Sequence, residues 1–412
     1  MTGRSQRGSG DRPALSRLTS ISAAAFAQQH WGRRPLLTTH GEHGDDFSDL
    51  LSLDAVDELV ADRAVRTPFV RMAREGGVLA TARYTSGGGY GAEVADQLDS
   101  AKVLHELADG STLVLQGLHR TWPALAEFIR QLDADLGRSC QANAYITPAS
   151  SRGFDPHYDV HDVFVMQIHG EKAWTIHDPV HADPLPAQPW SDHRDAVVER
   201  AAGPAHLEQT LKPGDVLYLP RGWIHSATAL GGTSIHVTIG ISTRTRYDVA
   251  REFLTELAGN PALRQSLPLD IGESGTDAAR DIVERTIADL TAALAAPGFV
   301  DDVAARLAES PRSQARAAPI RPLATIDALD RLDASTPVAW RPGLDARVTA
   351  EGTAVRIELA SKTVTLPIEA AASVEALHRG GPQRAGRLPG LDESSSLVVA
   401  RRLLREAILV LA

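Results

Sequence analysis

The stretch from Ala142 to Ser242 constrains the fold more than any other part of the sequence. Short apolar and β-branched runs alternate there with turns of Pro and Gly, as in NAYITP, HDVFVMQIHG, KAWTIHDP, HLEQTLKPGDVLYLPRG and TSIHVTIGIS. Many strands at such short spacing are typical of an antiparallel barrel or sandwich. We therefore expect an α+β protein that is built around an all-β centre.

Segments with the 3.6-residue apolar periodicity of helices flank this stretch. Ser52 caps one of them, and a second, over 122–137, has Pro123 in its first turn and Gly137 at its end. The segments DVAREFLTELAG and TDAARDIVERTIADLTAALAA follow the strands, and the last ninety or so residues mix strands with helices. These changes of pattern predict a disordered tail over 1–18, a barrel domain over 19–246, a helical domain over 247–312 and an α+β domain over 320–412.

Composition and charge restrict the cellular compartment and the partners that we expect for the protein. The chain has 412 residues, a net charge of −10 and one cysteine, Cys140, so it cannot form an intrachain disulfide. No run reaches the ~20 apolar residues of a membrane span, and the polar N-terminal segment lacks the apolar core of a secretory signal. Residues 320–412 hold 12 basic against 11 acidic residues, which makes nucleic acid an unlikely partner. We expect a cytoplasmic protein that does not bind membranes.

Three residues form a candidate metal site. His157 and Asp159 are two apart on what reads as a strand, where side chains at this spacing point the same way. The turn Pro220–Trp223, which follows a short strand, delivers His225. Two imidazoles and one carboxylate with the other positions open is the ligand set of non-haem Fe(II) oxygenases. We therefore predict that His157, Asp159 and His225 are catalytic and hold Fe(II). Because these three residues complete the ligand set, His161 is not assigned to the site, and a role as a further ligand or a neighbour of the site is the less favoured alternative.

The segments GFDPHYDVHDVFVMQIHGEKAW and LKPGDVLYLPRGWIH resemble the cupin-type JmjC oxygenases, in the branch called ribosomal oxygenases. The family pattern is His-x-Asp, then Gly-Glu-Lys-x-Trp, then a distal His after Pro-x-Gly, and all three parts occur here in order. The resemblance runs from Trp31 to the C-terminus and is densest over 142–242. It implies a double-stranded β-helix (jelly roll) with flanking helices, a helical dimerisation module and a C-terminal winged-helix-like module. It also implies a homodimer.

The resemblance further implies 2-oxoglutarate as a co-substrate. Lys172 matches the lysine with which the family binds the far carboxylate, and Tyr145 would help to hold that group. Thr238 lies where the family offers a hydroxyl, and Asn143 matches an asparagine near the iron or the prime substrate. A buried lysine is disfavoured without an anion, so the alternative for Lys172 is an exposed position in a hairpin turn.

The implied reaction is hydroxylation of a protein side chain, with succinate and carbon dioxide as the other products. A ribosomal protein is the favoured target, at a histidine or an arginine. The run Asn143-Ala144-Tyr145 resembles the histidine-hydroxylating branch, but Gly240 stands where that branch carries a serine. Two alternatives stay open. The enzyme could instead hydroxylate a peptide or a small natural product, or the chain could be a metal-binding cupin without turnover.

Overall fold

The computed structural model describes residues 12–74, 76–91, 93–149, 154–269, 275–309 and 317–412. The chain divides into two compact units, one made of Met1–Ser242 with Ala315–Ala412 and the other of Thr243–Gln314. Each unit is described by itself below.

Small helices and strands precede the central strands of the first unit. They are α1 (Pro13–Ser16), α2 (Ala23–Gln29), β1 (Leu36–Thr38), α3 (His40–His43), α4 (Leu53–Ala61), β2 (Val70–Arg74), β3 (Gly77–Val78), β4 (Thr85–Ser86), β5 (Gln97–Leu98), α5 (Ser100–Ala108), β6 (Thr112–Leu115), α6 (Leu118–Thr121) and α7 (Pro123–Leu136). The Ser52 side chain accepts a hydrogen bond from Ala55 N at the start of α4, and Gly137 ends α7 with φ of 63°. Both helix boundaries predicted from the sequence are confirmed.

Two of the central strands are longer than predicted. They are β7 (Cys140–Thr147), β8 (Asp162–His177), β9 (Leu207–Leu211), β10 (Val216–Leu219) and β11 (Ile224–Ile241), with α8 (Arg194–Ala201) between β8 and β9. The runs HDVFVMQIHG and KAWTIHDP belong to one strand, β8, because Gly170 turns the chain within it at φ of 64°. All pairings are antiparallel in the sheet order β1-β10-β8-β11-β7-β6-β2-β3, and β9 pairs with β8.

The apolar core lies between this sheet and the helices that cover it. Leu125, Phe128, Ile129 and Leu132 of α7 are buried in the same cluster as alternate residues of β6, β7 and β11. The buried residues recur every three or four positions on the helix and every second position on the strands, so each element packs one face into the core. Residues of opposite orientation on the strands are free to face the inside of the barrel, where the candidate site lies.

The predicted tail over 1–18 is too long. Residues 1–11 lie outside the described part of the chain, but Pro13–Ser16 form α1. The Asp135 carboxylate accepts hydrogen bonds from Ala14 N and Leu15 N, and both residues are buried, as is Leu18. Contact with α7 therefore organises a segment whose local sequence gives little signal.

The last part of the first unit has its own apolar core. Its elements are α12 (Pro322–Asp330), β12 (Pro337–Trp340), β13 (Arg347–Glu351), β14 (Ala354–Leu359), β15 (Lys362–Pro367), α13 (Ala371–Arg379), β16 (Gln383–Arg384), α14 (Glu393–Arg405) and β17 (Leu409–Leu411). The strands form two three-stranded sheets, with orders β16-β12-β17 and β13-β14-β15.

The second unit is helical. It contains α9 (Arg246–Leu257), α10 (Gly275–Leu294) and α11 (Phe299–Glu309), which share a small core around Leu257, Phe299 and Val303. Among the described residues of the whole chain, no helix has the length and apolar character that a membrane span requires.

Candidate active site

The two predicted histidine ligands are held together by the backbone. His157 N donates to His225 O at 3.2 Å, and His225 N donates to His157 O at 2.8 Å. This pair is an isolated bridge, so His157 lies in a loop and the predicted strand at this position is wrong. The hydrogen-bonded bridge, rather than strand alternation, sets the two imidazoles side by side, with ring centroids 4.5 Å apart.

One ring nitrogen of each histidine is occupied by a backbone carbonyl. His157 Nδ1 lies 2.7 Å from Asp155 O, and His225 Nδ1 lies 3.1 Å from Trp223 O. A carbonyl can only accept, so each Nδ1 carries the proton and each Nε2 keeps a free lone pair. Such carbonyl partners are a recurrent way to orient metal-binding imidazoles.

The three predicted ligands converge. Ligand atoms of His157, Asp159 and His225 all lie within 4.8 Å of one another, with Asp159 Oδ2 at 3.7 Å from His225 Nε2. Burial lowers the pKa of His225 to about 4, so this imidazole is neutral at pH 7. Burial acts to raise the pKa of Asp159, but the neighbouring histidines outweigh it and the pKa is lowered. One carboxylate and two imidazole nitrogens form a donor set that fits a divalent transition-metal ion.

A second set of contacts fixes the turn that carries His225. The buried Asp162 carboxylate accepts from Tyr218 Oη at 2.7 Å and from Arg221 N at 3.0 Å. Gly222 has φ of 86°, and a Cβ there would lie 2.7 Å from His181 O. The turn therefore has one conformation and one acceptable residue at its glycine position.

A cavity of about 280 Å³ extends from the metal-site residues into the barrel and reaches Lys172. Lys172 is 4% exposed, so the alternative of a solvated hairpin lysine is wrong. Its Nζ donates to Thr147 Oγ1 at 3.1 Å, and Thr112 Oγ1 donates to the same hydroxyl at 3.2 Å. Burial without a neighbouring anion lowers the pKa of Lys172 to about 7.

Several other polar atoms around the cavity lack hydrogen-bond partners. Within the described part of the chain, these include Trp174 Nε1, His236 Nδ1 and Arg71 Nε, all on residues that line the cavity. Burial lowers the pKa of His236 well below its ordinary value, so its ring is neutral. Leaving buried polar groups unpaired is costly. The lining therefore fits a polar, acidic ligand that reaches from the metal site to Lys172.

The remaining predicted residues separate into two groups. Tyr145 and Thr238 line the cavity, and the Tyr145 ring stacks on His236 with centroids 4.9 Å apart. Asn143 is not among the described residues that line it, because its Oδ1 accepts from Gly117 N at 2.9 Å. That Asn143 lies near the iron or the prime substrate stays a prediction.

His161 explains the glycine at position 240. A Cβ on Gly240 would lie 2.5 Å from His161 Nε2, so the imidazole fills the space that a side chain at 240 would need. His161 is not among the ligand atoms that converge on the metal site in the described residues. The histidine-hydroxylating branch carries a serine at this position. In this chain, the His161 ring occupies the space that the serine side chain would need.

Some cavity residues were not predicted from the sequence: Arg71, Thr112, Phe154, Trp174 and Trp190. Arg71 is the least expected, because it lies on β2 and is more than eighty residues from the metal-binding motif in the sequence. The strand pattern around it was the only local signal, and this pattern does not give the neighbour of β2 in the sheet.

Comparison with known proteins places this site in a family. The family model described as JmjC domain matches residues 121–249. The bifunctional lysine-specific demethylase and histidyl-hydroxylase NO66 of Drosophila persimilis is 30% identical over 271 residues, which is 64% of this chain and 37% of that protein. Ribosomal oxygenase 1 of Gallus gallus is 30% identical over 265 residues, which is 61% of this chain and 42% of that protein. The chain thus matches less than half the length of these relatives.

The fold has a counterpart among solved structures. The crystal structure of the Escherichia coli ribosomal oxygenase YcfD aligns with a TM-score of 0.52 at 16% identity, over 96% of this chain and 99% of that chain. Another X-ray structure of E. coli YcfD gives a TM-score of 0.53 at 18% identity, with the same coverage of each chain. The chain therefore contains a JmjC domain over residues 121–249, and its fold is similar to that of E. coli YcfD.

Proposed function

We propose that the chain is an Fe(II)- and 2-oxoglutarate-dependent oxygenase that hydroxylates a protein side chain in the cytoplasm, with a ribosomal protein as the favoured target. The observation that carries this proposal is a single cavity that joins the His157, Asp159 and His225 cluster to the buried ammonium of Lys172. A keto-diacid has one end for a metal ion and another for a cation, and this cavity offers both.

Each group has a defined task in this proposal. His157, Asp159 and His225 would hold Fe(II), which when bound supplies the redox chemistry that activates dioxygen at the expense of 2-oxoglutarate. Lys172 would bind the far carboxylate, and Thr147 would orient the ammonium by accepting one of its protons in a hydrogen bond. Tyr145 and Thr238 would add polar contacts to the same ligand. The apolar Val163 and Val165 would exclude water from it.

The choice of a protein target is supported by the relatives. They are named ribosomal oxygenase and histidyl-hydroxylase, and the chain carries a helical unit and a C-terminal α+β module besides the barrel. We propose that the helical unit is a dimerisation module and that the C-terminal module is winged-helix-like and serves as a structural or protein-docking piece. Histidine and arginine are both candidates for the hydroxylated residue.

The proposal is tested first by uncoupled turnover. Purified chain with Fe(II) and 2-oxoglutarate is expected to form succinate, measured by NMR, and His225→Ala is expected to reduce the rate at least a hundredfold because one of the three ligands is lost. His105→Ala, which changes an exposed histidine of α5, is the matched control and is expected to behave as the wild type. Absence of succinate from the wild-type protein would leave a metal-binding cupin without turnover.

A second experiment tests the target. Ribosomal proteins incubated with the loaded enzyme are expected to gain the mass of one oxygen atom on one residue, located by tandem mass spectrometry. Hydroxylation of a free metabolite or small peptide, with no modified ribosomal protein, would replace the protein target by the small-molecule alternative.

A further inference from the structure

A row of cross-strand pairs explains why Arg71 lines the cavity. Arg71 on β2 pairs with Val114 on β6, Val114 pairs with Tyr145 on β7, and Tyr145 pairs with His236 on β11. Directly opposed residues of antiparallel strands point to the same face of the sheet. Arg71 consequently lines the same cavity as Tyr145 and His236.

This guanidinium has no carboxylate partner among the described residues. No ion pair with a carboxylate, and no partner for the buried Nε, occurs among the described residues. Arg74, three residues along the strand, lies 3.6 Å from Glu106 and 3.7 Å from Asp109. Arg71 contacts the Phe154 ring, whose centroid lies 5.5 Å from Cζ, and its side chain is hydrogen-bonded to that of Tyr145. A ring face and a single phenol oxygen do not satisfy the five N–H groups of a guanidinium.

The charged residues that line the cavity indicate which kind of ligand it accepts. Asp159 is the one acidic residue among the described residues of the lining, whereas Arg71 and Lys172 are both basic. In the proposed function, on which this inference rests, Asp159 and the keto-acid end of 2-oxoglutarate offset the charge of the metal ion, and the far carboxylate offsets Lys172. The positive charge of Arg71 is then left over for the prime substrate.

We propose that Arg71 is a substrate-binding residue that donates hydrogen bonds to an acceptor group of the prime substrate. Suitable acceptors are a carbonyl, a carboxylate or a neutral imidazole, since the guanidinium offers donors only. A target side chain that carries a positive charge is disfavoured beside it. Arg71 therefore makes the enzyme select neutral or acidic side chains over arginine and lysine.

A binding experiment tests this selection without turnover. Chain loaded with Mn(II) and 2-oxoglutarate under argon is titrated with N-acetylglutamine amide and with N-acetylarginine amide. Tryptophan fluorescence reports binding, because Trp174 and Trp190 line the cavity. The wild type is expected to bind the glutamine derivative about tenfold more tightly, as a pair of like charges a few ångströms apart would require.

Three variants locate the effect. Arg71→Met keeps the length of the side chain without the charge and is expected to bring the affinity ratio close to one. Arg71→Lys keeps the charge and is expected to retain most of the preference. Arg130→Met, at an arginine of α7 paired with Glu127, is the control and is expected to match the wild type. Circular dichroism melting curves establish that each variant is folded.

The proposal is overturned by several results. These are equal or undetectable binding of the two amides by the wild type, tighter binding of the arginine derivative, or an unchanged ratio in Arg71→Met. Hydroxylation of an arginine or lysine of a ribosomal protein by the wild type overturns it as well. Absence of succinate, in contrast, rejects the oxygenase itself, while the amide titration still judges Arg71 because it needs no turnover.

Discussion

At the scale of single residues, Lys172 is the most informative group of the site. Its ammonium is 4% exposed, with the Thr147 hydroxyl as its hydrogen-bond acceptor. A buried ammonium is disfavoured without an anion, so this end of the cavity favours an anionic group. The unpaired Trp174 Nε1 and His236 Nδ1 in the same cavity agree with that reading.

The depressed pKa of Lys172, about 7, predicts a pH-dependent affinity for 2-oxoglutarate. Below pH 7 the amine of the ligand-free chain is already protonated, and the dissociation constant is expected to be nearly independent of pH. Above pH 7 binding must take up a proton, so the constant is expected to rise by up to about tenfold per pH unit. Isothermal titration of Mn(II)-loaded chain between pH 6 and pH 9 measures both regimes.

Two variants check that this slope belongs to Lys172. Lys172→Met is expected to bind 2-oxoglutarate weakly at every pH, without the slope. Lys212→Met, at an exposed lysine, is expected to show the wild-type curve. A slope that persists in Lys172→Met would assign the proton to a different group.

At the scale of elements, the site depends on bends inside two long strands. β8 and β11 pair along nearly their whole length, with a register shift between Leu230 and Ile235 opposite the turn at Gly170. Gln167 stabilises this bend, because its Nε2 lies within hydrogen-bond distance of His169 O, Gly170 O and Ser234 Oγ. Lys172 follows this bend by two residues and lines the same cavity as the metal-site residues.

Gly170→Ala is expected to destabilise the protein by at least about 3 kcal/mol. Position 170 has φ of 64°, and a Cβ there would lie 2.3 Å from Thr233 O, a backbone atom that cannot move aside. Strain of the left-handed backbone conformation alone costs about 1 kcal/mol, and overpacking adds to it. Urea denaturation followed by circular dichroism measures the loss.

Gly231→Ala is the matched comparison. Gly231 has φ of 69°, but a Cβ there would meet nothing within 4 Å. This variant is expected to lose only about 1 kcal/mol, the cost of the backbone conformation. Equal losses in the two variants would mean that the contact with Thr233 O does not matter.

At the scale of the whole molecule, the helical unit carries apolar side chains that remain in solvent in a single chain. Val283 and Ile287 of α10 are 56% and 55% exposed, and Leu254 of α9 is 62% exposed. Val283 and Ile287 are four residues apart, so they lie on one face of the helix. Exposed apolar faces of this kind commonly mark an interface with another chain, which supports the proposed homodimer.

The double variant Val283→Glu, Ile287→Glu is therefore expected to be a monomer, whereas the wild type is expected to be a dimer. Two carboxylates would have to be desolvated at the interface, which costs more than the apolar contact contributes. Size-exclusion chromatography with light scattering gives the mass of each form. Leu104→Glu changes an apolar residue of α5 that is 69% exposed and should leave the dimer intact. A wild-type monomer at micromolar concentration would refute the dimer.

The sequence by itself determined the chemistry of the candidate site. His157, Asp159 and His225 were predicted because a metal ion restricts the residue types and spacing of its ligands, and Lys172 was predicted from the resemblance to the cupin-type JmjC oxygenases. Helix boundaries at Ser52 and Gly137 were predicted for a similar reason, since capping depends on neighbours within one turn. These features depend on residues that are close together in the sequence, so they can be predicted without knowledge of the fold.

Only the tertiary structure decided which distant residues join the site. Arg71 reaches it through the register of four strands, and the bridge between His157 and His225 replaces the predicted strand. Register follows from the packing of the whole sheet, and no residue specifies it alone. The same reason explains α1, whose backbone is anchored by the Asp135 carboxylate from far along the chain.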